Sequence, residues 1–372
     1  MQNFTNNKQK PLFLLAPLDW GLGHTTRCIP LIAELILQDI DVLIACNSMQ
    51  KKILQAEFPQ LNFVELEGYS IRYGKMRFLT ILGLIQQIPK LLIKIKAEQA
   101  WLRSFLTKNR VQCIISDNRY GLYAENIPSV FITHQLAPIS GFGKFADHVM
   151  MKMLYRYINR FTSCWIPDNS QDNTLAGKLS HPDQLPRIPV QYIGPLSRFM
   201  GMKTATSGQN LLLLLSGPEP QRTILENLLL AQCDRVKRNI VLVRGLPGDA
   251  APPAQRGNLV CYNHLAANEL AREINQAAVV ISRAGYTSIM DLIALHKKMI
   301  LIPTPGQTEQ EYLGNYLHQH HVAYLMPQHS IDLNRVETVL ENFPFTNRFS
   351  VDETYKKVIL THINTLKEAQ AV

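Results

Sequence analysis

The chain of 372 residues has few cysteines, three tryptophans, and only 18% charged residues. Its six cysteines (Cys28, Cys46, Cys113, Cys164, Cys233 and Cys261) are scattered and form no CxxC pair. That spacing argues against the usual zinc site and fits buried free thiols in a reducing compartment. There is no run of about 18 uninterrupted apolar residues, so a membrane-spanning helix is not expected. The opening MQNFTNNKQK leads into an apolar run that ends in a glycine turn, with no small-residue cleavage site. It reads as a buried strand rather than a signal peptide, which points to the cytoplasm. Low-complexity segments and short-period repeats are also absent. With 46% hydrophobic residues the composition is that of a globular protein, not a disordered one. At roughly 150 residues per domain the length suggests two domains, each able to bury its own core.

Positive charge is in excess. Lys and Arg number 38 and Asp and Glu 29, for a net +9. Such a balance suits nucleic acid, an anionic membrane or phosphorylated substrates. Residues 75–110 carry eight of the basic residues (Lys75, Arg77, Lys90, Lys94, Lys96, Arg103, Lys108, Arg110) against Glu98 alone. Within that segment Phe78, Leu82, Ile85, Ile88, Leu92 and Ile95 recur at helical intervals, and Pro89 breaks or kinks the run. Either an interfacial helix pair on anionic lipid or core helices with solvated lysines fits. Nucleic acid is not expected, because the basic residues alternate with aliphatics rather than stacking aromatics.

Apolar runs predict parallel strands at 12–17, 41–46, 62–66, 112–116, 129–133 and 163–166, with a helix at about 25–38. A second series follows at 211–215, 240–243, 258–261, 278–281 and 299–302. Helices fit between these strands at about 221–232, 266–276, 286–295 and 309–319, and a last one at 351–367. Alternation of this kind implies an α/β protein: two Rossmann-like parallel-sheet domains facing across a cleft. Gly194–Gln209 is the natural linker. The expected units are 1–195, 196–345, and a terminal helix at 346–372 that packs back on the first domain.

Three turns carry the chemistry. Asp19-Trp20-Gly21-Leu22-Gly23-His24 joins the first strand to the first helix, where doubly wound sheets bind ligands. Gly21 and Gly23 permit close backbone approach, and His24 at the cleft mouth could take a proton from a hydroxyl or a water. A tight turn with a capping histidine would look the same. Ser216-Gly217 occupies the equivalent place one domain later and could offer donors to a diphosphate, or be a plain connection. Ser282-Arg283-Ala284-Gly285 ends a buried strand, and Thr287 and Ser288 open the next helix, so helix N–H groups and Arg283 form a candidate anion site. Asp291, about one turn further, could accept two ribose hydroxyls or merely complement its helix. His318 and His321 lie at i, i+3 without a companion carboxylate, and a helix end carrying histidine explains them better than a metal.

Together these residues resemble the GT-B glycosyltransferases, especially the MurG-like group, family 28. The similarity runs from about residue 11 to 325. It rests on Gly21, Gly23 and His24, on Gly194-Pro195-Leu196-Ser197-Arg198, on Ser216-Gly217, and on Gly285 followed six places later by the acid Asp291, where the family usually has Glu. The resemblance implies an inverting transfer of N-acetylglucosamine or a related hexose from a UDP-sugar to a hydroxyl acceptor. His24 would deprotonate the acceptor hydroxyl or position it, and Asp19 would orient His24 or the acceptor. Gly21, Gly23, Arg198, Ser216, Gly217, Arg283, Gly285, Thr287, Ser288 and Asp291 would bind the donor, and its uracil would lie against the backbone near Tyr262 to Leu265. Gln310 or Glu311, ahead of Asn315, would meet the sugar, and His134-Gln135 would lie on the acceptor side. No metal and no cofactor beyond the UDP-sugar substrate is implied. A lipid-linked acceptor would place the protein peripherally on the inner membrane, with residues 75–110 against anionic lipid. Gly-x-Gly-His-x-x-Arg-Cys also resembles UDP-sugar hydrolases, in which the histidine would activate water.

Overall fold

The computed structural model describes residues 10–69, 88–171, 173–204, 208–248, 255–349 and 351–371. Part of the basic segment, residues 75–87, therefore lies outside the described residues.

The first apolar run forms β1 (Leu12–Pro17), and the chain winds outward from it in both directions. β2 (Asp41–Cys46), β3 (Asn62–Glu65), β4 (Cys113–Asp117), β5 (Ser129–Ile132), β6 (Ser163–Ile166) and β7 (Val190–Tyr192) complete the first sheet. Its order is β3-β2-β1-β4-β5-β6-β7, and every pairing is parallel. The second sheet repeats the plan with β8 (Asn210–Leu214), β9 (Ile240–Val243), β10 (Leu259–Tyr262), β11 (Ala277–Ser282), β12 (Met299–Leu301) and β13 (Ala323–Leu325). Its order is β10-β9-β8-β11-β12-β13, again all parallel. β1 with β4, and β8 with β11, are the points where strand order reverses. Crevices that bind ligands open there, at the carboxyl ends of the strands.

The expected helix at 25–38 is two helices, Leu22–Arg27 and Ile29–Leu37. Pro30 at the start of the second lacks an N–H and cannot continue the first ladder, so the chain turns at Cys28. This break aims the short first helix, with His24 on it, at the second domain.

Residues 88–106 form one helix. Its Leu102 and Phe105 pack against Leu14, Leu43 and Ile114, and Ile95 packs with Leu18 and Tyr69. This part of the basic segment is thus a core-covering helix whose lysines stay toward solvent. The final helix, Thr354–Ala371, lies against Ile29–Leu37, burying Tyr355, Ile359 and Ile363 with Ile29 and Ile32. His362 stands edge-on to Trp165 of the first sheet at 5.4 Å. The linker is not loose where it leaves β7, since Leu196 and Phe199 are buried in an apolar cluster shared by both halves.

Candidate active site

The pairing of β1 with β4 sets Pro17 beside Asp117. Asp117 ends its strand fully buried, under the helix that carries His24 and Arg27. Gly21 makes the entry to that helix at φ +81°, and an added Cβ would meet nothing there, so backbone conformation rather than space requires the glycine. His24 Nδ1 lies 2.9 Å from Asp117 Oδ2. Arg27 Nε donates to both oxygens of Asp117, at 3.0 and 3.1 Å, and its terminal nitrogen donates to Oδ1 as well.

These contacts fix the charge state. Burial pushes the Asp117 carboxyl up, but Arg27 and His24 outweigh it and hold it at about 2. Burial and then the charge of Arg27 lower His24 below its ordinary value, against the pull of Asp117. Near neutral pH the pair is therefore a carboxylate and a neutral imidazole. Asp117 accepts from Nδ1–H, so Nε2 keeps its lone pair. That is the arrangement of a general base held in one tautomer.

Asp117 takes the role expected of Asp19. Asp19 Oδ1 accepts from the Tyr69 N–H at 2.9 Å and stands 4.0 Å from buried Arg119, so its carboxylate serves the loop below the site. Sequence reading ended the strand at Ser116, one residue short. The missed signal is a carboxylate at the carboxyl end of the strand beside β1.

The second domain supplies the facing wall. Gly217 (φ +100°) follows β8, and Gly285 precedes the helix Tyr286–Ala294 after β11. Around the cleft stand Gly21, Gly23, His24, His134, Gln135, Arg198, Ser216, Gly217, Leu265, Gly285, Thr287, Ser288, Asp291 and Gln310, together with His264 and Glu309. The cavity between them is about 210 Å³. Thr287 Oγ1 donates to the Gly23 carbonyl across it at 3.2 Å.

Asp291 is nearly fully buried and accepts from Ser197 Oγ at 2.8 Å and Arg198 Nε at 3.2 Å. It binds the linker to the helix Tyr286–Ala294 as well as bordering the cleft. Burial pushes its carboxyl up, with Arg198 opposing.

Two expectations are corrected here. Arg283 does not reach the cleft: it is buried, and its guanidinium donates to the carbonyls of Ile302 (3.3 Å), Pro303 (3.2 Å) and Gln221 (2.8 Å). The side chain leaves β11 into the domain interior, where three carbonyls need a donor. Glu311 is not a cleft residue either; its Oε1 accepts from the Gly306 N–H at 2.9 Å and closes the turn beneath. Gln310 does border the cleft while its Oε1 accepts from the Thr304 N–H at 2.9 Å, and Asn315 is exposed on the far side of that helix. Glu309, one residue earlier, faces the cleft and was not foreseen.

His318 Nδ1 accepts from the Leu325 N–H at 3.2 Å and the ring stacks on Phe343. Among the described residues no group of three metal-binding side chains is present. An Asp-x-Asp sequence exists, Asp39-Ile40-Asp41, but it opens β2 at the end of the sheet away from the cleft.

The profile of the glycosyltransferase family 28 C-terminal domain matches residues 261–359. A UDP-N-acetylglucosamine--N-acetylmuramyl-(pentapeptide) pyrophosphoryl-undecaprenol N-acetylglucosamine transferase of Aromatoleum aromaticum is 26% identical over 122 residues, 30% of this chain and 33% of that protein. The transferase of the same name from Azoarcus sp. is 32% identical over 74 residues, 19% of this chain and 21% of its own length. The chain thus spans a third or less of the curated relatives it matches. Solved structures align along nearly the whole chain. The kitacinnamycin glycotransferase has a TM-score of 0.61 at 15% identity, covering 97% of this chain and 95% of its own. MurG of Acinetobacter baumannii has a TM-score of 0.52 at 14% identity, covering 94% of each. The fold is GT-B, and the chain is similar to the MurG-like glycosyltransferases.

Proposed function

We propose that this chain, a GT-B protein with a glycosyltransferase family 28 C-terminal domain, moves a hexose from a UDP-sugar to a hydroxyl acceptor with inversion. The observation that carries the reading is the His24–Asp117 pair, at 2.9 Å, placed against the donor-domain turn Gly285–Ser288. His24 Nε2 takes the proton of the acceptor hydroxyl as its oxygen attacks the anomeric carbon. The bond from that carbon to the β-phosphate oxygen breaks, and UDP leaves with the electron pair. N–H groups opening the helix Tyr286–Ala294, the turn at Gly217, and Arg198 receive the charge on the leaving group.

The relatives' names support N-acetylglucosamine as the sugar and a lipid-linked hydroxyl as the acceptor. Exposed apolar side chains support an acceptor held at a bilayer. Ile93 stands among Lys90, Lys94 and Lys96. Phe145, Val149 and Met153 form a stripe on the helix Lys144–Ile158, beside Lys144, Lys152 and Arg156. Apolar side chains flanked by cations suit the cytoplasmic face of an anionic membrane. Among the described residues no helix is long and apolar enough to cross a membrane.

The test is incubation with UDP-N-acetylglucosamine and related UDP-hexoses, with and without a bacterial lipid extract, reading UDP release and lipid mass. UDP released only with lipid, and a lipid heavier by one sugar, is the expected result. Free sugar released at the same rate without lipid would overturn the transferase.

A further inference from the structure

The hydrogen bonds of the base do not stop at Asp117. Beyond Arg27 the chain continues through His134 into the other domain. Arg27 Nη1 lies 3.2 Å from His134 Nδ1, and His134 Nε2 lies 2.8 Å from Glu309 Oε1. A guanidinium can only donate, so His134 Nδ1 accepts and its single proton sits on Nε2, directed at Glu309. The imidazole is clamped from its face as well: it stacks on Tyr286 at 4.2 Å with the rings 10° apart, and the Tyr286 hydroxyl donates to the Pro167 carbonyl at 2.7 Å.

Four members of this chain belong to the first domain: His24 and Arg27 on the short helix, Asp117 at the end of β4, and His134 just beyond β5. Glu309 alone belongs to the second, on the first turn of the helix Thr308–Gln319 after β12. Its bond to His134 therefore exists only while the two domains are together, like those from Thr287 to Gly23 and from Thr308 to the Ile139 carbonyl.

Charge makes the contact consequential. Arg27 and Asp117 alone form a neutral pair. Glu309 adds a negative charge at the far end, and burial, which pushes its carboxyl up, is outweighed by His134, His24 and Arg27. With Glu309 seated, the network carries one net negative charge when both imidazoles are neutral. That charge favours the imidazolium that forms on His24 when it accepts a proton. Two further titratable groups adjoin the network, both held neutral by burial: Cys28, whose thiol is 3.8 Å from Asp117 Oδ2, and the Tyr286 phenol stacked on His134.

We propose that Glu309 is a positioning residue for the His24 base: domain closure seats it on His134, and only then does the base reach full strength. The catalytic part of this proposal rests on the transferase reading; the coupling itself does not.

Full-length protein with ¹⁵N-labelled histidine separates the two. Long-range proton–nitrogen spectra across pH report the His24 midpoint and the His134 tautomer without turnover. In Glu309→Gln the His24 midpoint should fall by about half a pH unit or more, while His134, whose tautomer Arg27 sets, should keep its Nε2–H against the amide oxygen. Glu309→Asp should lie between that variant and wild type, and Glu309→Ala is read in the same way should the amide variant misfold. In the transfer assay kcat should fall about tenfold with UDP affinity unchanged, and the acid limb of the pH profile should move with the midpoint. A folded Glu309→Gln with an unaltered His24 midpoint would overturn the coupling. Wild-type protein inactive on every UDP-hexose would remove the transferase reading while leaving the spectra to decide the coupling.

Discussion

Thr287 and Gly23 hold the cleft closed from opposite domains: the Thr287 hydroxyl donates to the Gly23 carbonyl at 3.2 Å, and a Cβ on Gly23 would sit 3.0 Å from that same oxygen. Position 23 therefore takes a side chain only if Thr287, or the domain that carries it, gives by a few tenths of an ångström. Gly23→Ala should keep its fold and its affinity for UDP, whose proposed phosphate contacts lie on the second domain. Its kcat/KM should fall about tenfold to a hundredfold, because small misplacements of reacting groups are costly. Thr287→Ala added to it removes the crowded oxygen and should restore part of the loss. Steady-state kinetics on the two variants decide the point, and an unimpaired Gly23→Ala would show that the contact is not part of the working state.

Asp117 is expected to matter twice. Asp117→Asn keeps the shape but no longer fixes His24 as the Nδ1–H tautomer, so kcat should fall by about 10²–10⁴. It also leaves the buried Arg27 guanidinium without its counter-charge, a loss of about 3–5 kcal/mol. Kinetics must therefore be read beside a denaturation curve. Wild-type kcat in a folded Asp117→Asn would remove His24 from the base role.

Much of the scaffold was legible because strands buried on both faces read as unbroken apolar runs. β1, β2, β6 and β9 have the expected ends, and the other expected strands are displaced by about a residue. Three-residue edges such as β7 and β13 carry no such signal and were missed. So was the helix Lys144–Ile158, whose outward apolar side chains blur its periodicity. In the cleft, His24 and the turns at Gly217 and Gly285 were legible because each sits on a local glycine pattern. Asp117 was not, because its function comes from a pairing between strands about a hundred residues apart in sequence. Arg283 was misassigned for a related reason: local sequence names the turn but does not say which side chains leave it inward.

Acid should destabilise the fold in two steps, and the signs follow from which state holds more protons. Burial lowers His24, His264 and His362. Below their ordinary value of 6.5 the unfolded chain takes up protons that the folded chain refuses, so stability drops as pH falls from 6.5. Asp117, held at about 2 against 3.8 unfolded, adds stability above 3.8 that is lost as pH falls through about 2. That second step is worth roughly 2 kcal/mol. Urea denaturation at pH 7.5, 6, 5 and 4 should show the first step, and a flat profile from 7.5 to 5 would contradict the neutral, desolvated histidines.

Two arginines near the donor loops should behave oppositely. Arg198 borders the cleft and lies over the Phe199 ring at 4.9 Å, with Asp291 as its partner. Arg198→Gln removes a cation from the proposed diphosphate site while keeping a donor for Asp291. Its fold should survive, and its Kd for UDP should rise about tenfold, the worth of one charge-assisted contact. Arg283→Met leaves the Ile302, Pro303 and Gln221 carbonyls without their donor. Unsatisfied buried acceptors cost about 1–3 kcal/mol each, and partial relaxation makes about 3–5 kcal/mol a reasonable total. The fraction that remains folded should bind UDP close to normally. Calorimetric titration beside thermal melts reads both effects. A stable Arg283→Met with lost UDP affinity would return Arg283 to the donor site, and an Arg198→Gln that melts early yet binds normally would make the linker arginine a structural strut.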